Sequence, residues 1–110
     1  MNTKNKLPNT ITLTPNGDEI GSPELRNNTH HFLSASIGEK NTDVYLNFST
    51  RRAMYDFAVS LLHEAVYENG GMVNGKGGLK EFLPSNGERV VDGVRVKEDS
   101  SRIFVFYNEG

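Results

Sequence analysis

Residues 49–71 read STRRAMYDFAVSLLHEAVYENGG, and this stretch decides the fold. Its apolar residues recur every three or four positions, the spacing that places side chains on one face of an α-helix. They are Met54, Phe57, Ala58, Leu61, Leu62, Ala65 and Val66. Ser49 or Thr50 is the expected N-cap, and Asn69-Gly70-Gly71 is the expected left-handed stop. The pattern predicts one amphipathic helix over about residues 50–68.

Short alternating segments on both sides of this helix predict strands. The expected strands lie at residues 33–37, 44–48, 79–83, 90–96 and 102–107. The first two would form a hairpin with one buried face and the last two a second hairpin, while residues 70–78 would be a glycine-rich loop. The sequence thus predicts an α+β fold, in which the helix packs on one face of a mostly antiparallel sheet of four to six strands.

The chain of 110 residues has the length of a single domain, which we expect to span residues 1–110. Residues 1–29 are rich in turn formers, and only residues 10–14 alternate as a weak strand would. One helix shields one face of a sheet, so one apolar row of the last strand lacks an obvious cover. Either the N-terminal segment covers it with Ile11, Leu13, Ile20 and Leu25, or the row is a docking or dimer surface.

Composition argues against several classes of function. The formal net charge of −2 lacks the basic excess of a nucleic-acid-binding protein. Without cysteine the chain has no disulfide framework and no thiolate for zinc or for nucleophilic attack. No apolar run approaches the roughly 20 residues that cross a bilayer, and the first residues lead into no apolar signal region. We therefore expect a cytoplasmic protein without contact to membrane or nucleic acid.

Three features suggest chemistry without completing a site. Residues 70–76 match the letters GxxxxGK of a phosphate-binding loop, but a helix precedes them and no Ser or Thr follows the lysine. His30 and His31 would point to opposite faces of a strand, so they do not form a metal site. His63 and Glu64 diverge by about 100° on a helix, which separates them as an acid–base pair. No catalytic residue, cofactor or metal is predicted.

The helix carries its charges in the order that its dipole disfavours. Arg51 and Arg52 lie in its first turn, and Glu64 and Glu68 lie near its last. These charges either pair with strand residues or serve a partner. In the second case the partner-binding residues would be Arg52, Tyr55, Asp56, His63 and Tyr67 on the helix, with Phe104 and Phe106 on the last strand.

Several segments together resemble a known arrangement. They are DVYLNFST at residues 43–50, the helix with Phe57-Ala58 and Leu61-Leu62, a glycine-bearing loop, and EDSSRIFVF at residues 98–106. Over about residues 43–107 the chain is similar to small bacterial immunity proteins of polymorphic-toxin and contact-dependent inhibition systems, in particular the predicted immunity family numbered thirty-two. The resemblance implies a cytoplasmic inhibitor that binds and occludes a cognate toxin domain without cofactor or turnover.

The slightly acidic charge would steer such an inhibitor towards a basic toxin, which favours a nuclease. Two other functions remain open at this point. A self-associating adaptor or structural domain would form a homodimer through the spare apolar row of the last strand. A small enzyme would use His63 and Glu64.

Overall fold

The structure, a computed structural model, describes residues 7–20, 30–68, 71–73, 76–84 and 93–108. These residues form β1 Leu33–Ile37, β2 Val44–Phe48, α1 Arg51–Tyr67, β3 Gly71–Val73, β4 Lys76–Phe82 and β5 Ile103–Tyr107. β1 and β2 make one sheet, β3, β4 and β5 make another in that order, and all neighbouring strands are antiparallel. The α+β class is confirmed. A single sheet of four to six strands is not, because the described strands divide into two sheets.

Both ends of α1 are capped by local backbone geometry. Thr50 is extended, and its Oγ1 accepts a hydrogen bond from the backbone N–H of Ala53 at 3.1 Å. Glu68 is left-handed, with φ 54° and ψ 46°, and its N–H donates to the Glu64 carbonyl at 2.8 Å. The helix ends at Glu68 before the predicted glycine stop is reached, and residues 69–70 lie outside the described ranges. No helix in the described part of the chain has the length and apolar character needed to cross a bilayer.

The face that α1 buries differs from the predicted one. Its buried residues are Ala53, Phe57, Val59, Ser60, His63 and Glu64. Within the predicted stripe Phe57 is buried and Leu61 packs partly against the core, whereas the exposed members are Met54, Ala58, Leu62, Ala65 and Val66. The helix turns this way because His63 and Glu64 find hydrogen-bond partners on the buried side.

The core lies where α1 meets both sheets. Its buried members are Leu33, Phe57, Phe82, Val94 and Val96, surrounded by Phe48, Leu61, Ile103 and Val105. The Phe57 ring centroid lies 5.6 Å from that of Phe48 and 4.9 Å from that of Phe82, in tilted arrangements that aromatic pairs favour. Phe57 therefore joins the hairpin of β1 and β2 to the sheet that contains β4.

The expected hairpin of residues 90–96 and 102–107 does not form in the described part of the chain. β5 pairs with β4, which places Phe82 opposite Ile103. Val96 instead forms a parallel bridge with Leu33, held by two backbone hydrogen bonds of 2.8 Å. This pairing buries Val96 beside Leu33 in the core, a contact that a hairpin with β5 would not provide.

The segments around β1, β2 and β3 also differ in part from the expectation. The predicted loop at residues 70–78 contains β3 and the start of β4. The first hairpin forms, with Leu33 opposite Phe48 and Ile37 opposite Val44. Its apolar row is buried only near Leu33, while Ile37 and Val44 are 64% and 68% exposed. Because the core lies at one end of the hairpin, the other end of that row remains in solvent.

Residues 7–20 lie along α1. The Tyr55 hydroxyl donates to the Pro8 carbonyl at 2.9 Å, and the Tyr67 hydroxyl donates to the Leu13 carbonyl at 3.2 Å. Residues 10–14 form no strand. This part of the N-terminal segment therefore covers the helix and not the open row of β5, and residues 21–29, which include Leu25, lie outside the described ranges.

Candidate functional site

β5 carries two rows of side chains that face opposite sides of its sheet. Ile103 and Val105 pack against the core, and Tyr107 in the same row reaches α1. Phe104 and Phe106 point the other way and are 42% and 61% exposed. The row left open by the single helix is therefore the phenylalanine row.

The pairing of β5 with β4 places residues of both strands beside these two rings. Leu79 lies opposite Phe106, and the exposed Glu81 lies opposite Phe104. The Arg102 guanidinium lies 5.6 Å from the centroid of the Phe104 ring, within range of a cation–π contact. We name these residues, Leu79, Glu81, Arg102, Phe104 and Phe106, the outer face. It presents two aromatic side chains on paired strands, next to one cation and one anion.

The helix residues predicted to bind a partner lie on a different side of the molecule from Phe104 and Phe106. Tyr55 and Tyr67 bond the N-terminal segment as described above. The buried ring of His63 bonds the Thr14 carbonyl through Nε2 at 2.9 Å and lies 5.1 Å from the Tyr67 ring. Arg52 and Asp56 form an ion pair, Nε to Oδ2, of 3.1 Å. Contact of these five residues with a partner stays a prediction.

A polar cluster is buried between α1 and the sheet of β3, β4 and β5. Glu64 Oε2 accepts a hydrogen bond from the Tyr107 hydroxyl at 2.6 Å, and Glu64 Oε1 lies 4.0 Å from Lys80 Nζ. Glu64 and Lys80 are 3% and 7% exposed. A Cβ at Gly78 would overlap the Tyr107 side chain, so glycine at this position leaves room for the tyrosine.

The structure shows what Glu64 and His63 contact. Glu64 pairs with Lys80 of β4, so this helix charge has a strand residue as its partner, which was one of the two alternatives. The alternation of β4 in the sequence indicates the position of Lys80. Lys80 lies two residues from Gly78 and from Phe82, on the inward row of β4. His63 and Glu64 lead to different partners and do not form an acid–base pair. Among the described residues, no three His, Asp or Glu side chains are grouped as a metal site requires.

A second polar group surrounds the N-terminus of α1. His31 Nδ1 lies 2.7 Å from Thr50 Oγ1, the atom that caps the helix. Burial lowers the pKa of His31 and the Arg52 charge lowers it further, while Asp56 opposes both. Burial raises the pKa of Asp56, and its ion pair with Arg52 counteracts part of that rise. A neutral His31 can accept the Thr50 hydroxyl hydrogen, which fits the lowered pKa.

We expect His31 to make the protein less stable as the pH falls from about 7.5 to about 5.5. Its folded pKa is below the ordinary value of 6.5, so the unfolded chain binds the proton more readily. The stability that neutral His31 contributes is therefore present above the ordinary pKa and is lost as the pH falls through the folded pKa. The raised pKa of Asp56 acts in the opposite direction, in a more acidic range.

Urea unfolding at the two pH values measures this effect. His31→Gln should flatten the pH dependence, while His30→Gln, which removes only a minor contribution to the lowered pKa of His31, should change it less. An unchanged pH dependence in His31→Gln would contradict the assignment.

Comparison of the chain with protein-family models, with curated proteins and with solved structures finds no match. The sequence pointed to Phe104 and Phe106, but it missed Arg102 and Leu79 beside them. The alternation of the last strand already places Arg102 on the same face as Phe104. The position of Leu79 depends on the pairing of β5 with β4, which the pattern of either segment does not specify.

Proposed function

We propose that this protein is an immunity protein, which binds a cognate bacterial toxin domain through the outer face and blocks it without catalysis. The observation that carries the proposal is the exposure of Phe104 and Phe106 on a paired strand. Exposed aromatic side chains on a regular sheet have few rotatable bonds to immobilise, and such residues dominate binding energies in protein interfaces. A strand held by a neighbouring strand also presents them in a fixed geometry.

The surroundings of the two rings support a protein partner. Protein interfaces commonly combine an apolar centre with a polar rim, and Arg102 and Glu81 lie beside the phenylalanines in this way. The net charge of −2 favours encounter with a basic surface. The resemblance of the sequence pattern over residues 43–107 to bacterial immunity proteins suggests the class of partner, and a nuclease toxin would have the basic surface that binds nucleic acid.

The test is binding of the protein to the toxin domain encoded beside it, measured by titration calorimetry. We expect a one-to-one complex, and we expect Phe106→Ala and Phe104→Ala each to weaken binding by about tenfold or more. Leu62→Ala is the matched control, because Leu62 is a comparably exposed apolar residue, 46%, but lies on α1. The control should bind like the wild type.

Two outcomes would contradict the proposal. One is that the wild-type protein neither binds nor neutralises the neighbouring toxin. The other is that both phenylalanine variants bind as tightly as the control, which would place the contact elsewhere on the protein. Because both phenylalanines are partly in solvent, their truncation should leave the fold intact, and circular dichroism verifies this.

A further inference from the structure

α1 exposes a second apolar surface, which the outer face does not include. Met54, Ala58, Leu62 and Val66 follow one another at intervals of four residues, with Ala65 beside them. The three large side chains, Met54, Leu62 and Val66, are 53%, 46% and 52% exposed. We name these five residues the α1 stripe. Rows at four-residue intervals form the ridges by which helices most often pack against each other.

The α1 stripe is complementary to itself when two copies run antiparallel. The two-fold axis would pass level with Ser60, midway between Met54 and Val66. Each Leu62 would then lie opposite Ala58 of the second copy, so that a large side chain meets a small one. A parallel pair in register would instead oppose Leu62 to Leu62 and Ala58 to Ala58, which crowds one level and leaves a gap at the other.

The charges of the helix favour the same orientation. α1 has no acidic residue in its first turn and no basic residue in its last, so Arg51 and Glu68 add to the helix dipole at the two ends. Both residues are exposed. When a second helix runs antiparallel, its negative C-terminal end lies beside the positive N-terminal end of the first helix. Its positive N-terminal end then lies beside the negative C-terminal end of the first helix. Such a pair stabilises a charge order that is unfavourable in a single helix.

We propose that the protein forms a two-fold symmetric homodimer through antiparallel contact of the α1 stripes. The occupant of the stripe is thus a second copy of this chain. One helix pair buries less surface than a standard protein interface, so we expect a dissociation constant in the micromolar range. The outer face lies across the sheet from α1 and stays available, which makes this inference independent of the proposed toxin binding.

Sedimentation velocity over a range of protein concentrations tests the dimer. We expect Leu62→Gln to raise the dissociation constant by about a hundredfold, because each dimer loses the burial of two leucines. Leu83→Gln is the matched control, since Leu83 is 45% exposed against 46% for Leu62 but lies after β4 and off the stripe. It should dimerise like the wild type.

A charge exchange tests the orientation. Arg51→Glu and Glu68→Arg should each weaken the homodimer about three- to tenfold at low salt, because like charges then meet at both ends. A mixture of the two variants should recover the affinity, since opposite charges meet again in the mixed dimer. Arg51→Glu also places an acid at the helix N-terminus, which stabilises the isolated helix, so unfolding would not explain a weaker dimer.

Three results would overturn the inference. A wild-type protein that stays monomeric at all concentrations would mean that another part of the chain or a different protein covers the stripe. A dimer that survives Leu62→Gln but dissociates with Phe106→Ala would place the contact on β5. A mixture that does not recover affinity would exclude the antiparallel orientation. Phe106→Ala is the one variant shared with the test of toxin binding, and its toxin affinity is measured in a separate experiment.

Discussion

Replacing Lys80 by methionine is expected to lower the free energy of unfolding by about 3 to 5 kcal/mol. Glu64 is 3% exposed, and its carboxylate would lose the ammonium group that lies 4.0 Å away. Removing one partner of a buried ion pair costs this much because the remaining group stays buried without its counterion. Methionine fills much of the same volume, so the loss reports charge and not a cavity. Urea denaturation at neutral pH measures it.

Two further variants separate the ion pair from its surroundings. Adding Glu64→Leu to Lys80→Met removes both charges, and we expect the double variant to regain most of the lost stability. Tyr107→Phe removes the hydroxyl that donates the 2.6 Å hydrogen bond to Glu64, and we expect a loss of about 1.5 to 3 kcal/mol, as for a hydrogen bond to a charged group. A Lys80→Met variant as stable as the wild type would show that Glu64 does not depend on this counterion.

Local sequence signals were sufficient to predict the helix and several strands. Thr50 has the side chain that caps a helix, and the recurrence of apolar residues after it has the helical period. Alternation predicted β1, β2 and β5 because a strand places successive side chains on opposite faces. These signals come from residues close together in the sequence. Whether a segment forms a helix or a strand therefore follows from them without knowledge of what the segment packs against.

The face of α1 could not be predicted in the same way. Its sequence offers an apolar stripe through Met54 and Leu62, and Phe57 borders both that stripe and the buried face. The choice depends on Thr14 and Tyr107, which bind His63 and Glu64 from positions more than 40 residues away. The helical period of the apolar residues does not include such distant partners, so the sequence analysis placed the stripe through Met54 and Leu62 on the buried face.

The prediction of strand pairing from the sequence was limited for a related reason. Alternation shows that residues 94–96 and β5 are extended, but it does not name their partners. The parallel bridge of Val96 to Leu33 and the pairing of β5 with β4 connect segments far apart in sequence. The same limit applied to the outer face. One open row on β5 followed from having a single helix, and Phe104 and Phe106 were its predicted residues. The pairing with β4 and the exposure of the two rings show that theirs is the open row.

Truncating Phe57 to alanine should cost about 3 to 5 kcal/mol of unfolding free energy, because the ring packs between both sheets. The centroid of its ring lies 4.9 Å from that of Phe82 and 5.6 Å from that of Phe48, so its removal leaves a cavity between these two rings. Since small domains have only about 5 to 15 kcal/mol in total, Phe57→Leu provides a milder variant that should remain folded. Urea denaturation of both variants measures the losses.

The matched control for Phe57 is Leu62 on the same helix. Phe57 is 8% exposed and Leu62 is 46% exposed, although the hydrophobic period assigns both to one stripe. Leu62→Ala, measured at a concentration where the protein is monomeric, should change the unfolding free energy by no more than about 0.5 kcal/mol. A comparable loss at the two positions would mean that the helix faces the core with the stripe through Met54 and Leu62. In that case neither the buried Glu64 cluster nor the α1 dimer would hold, because both require Leu62 to point away from the sheets.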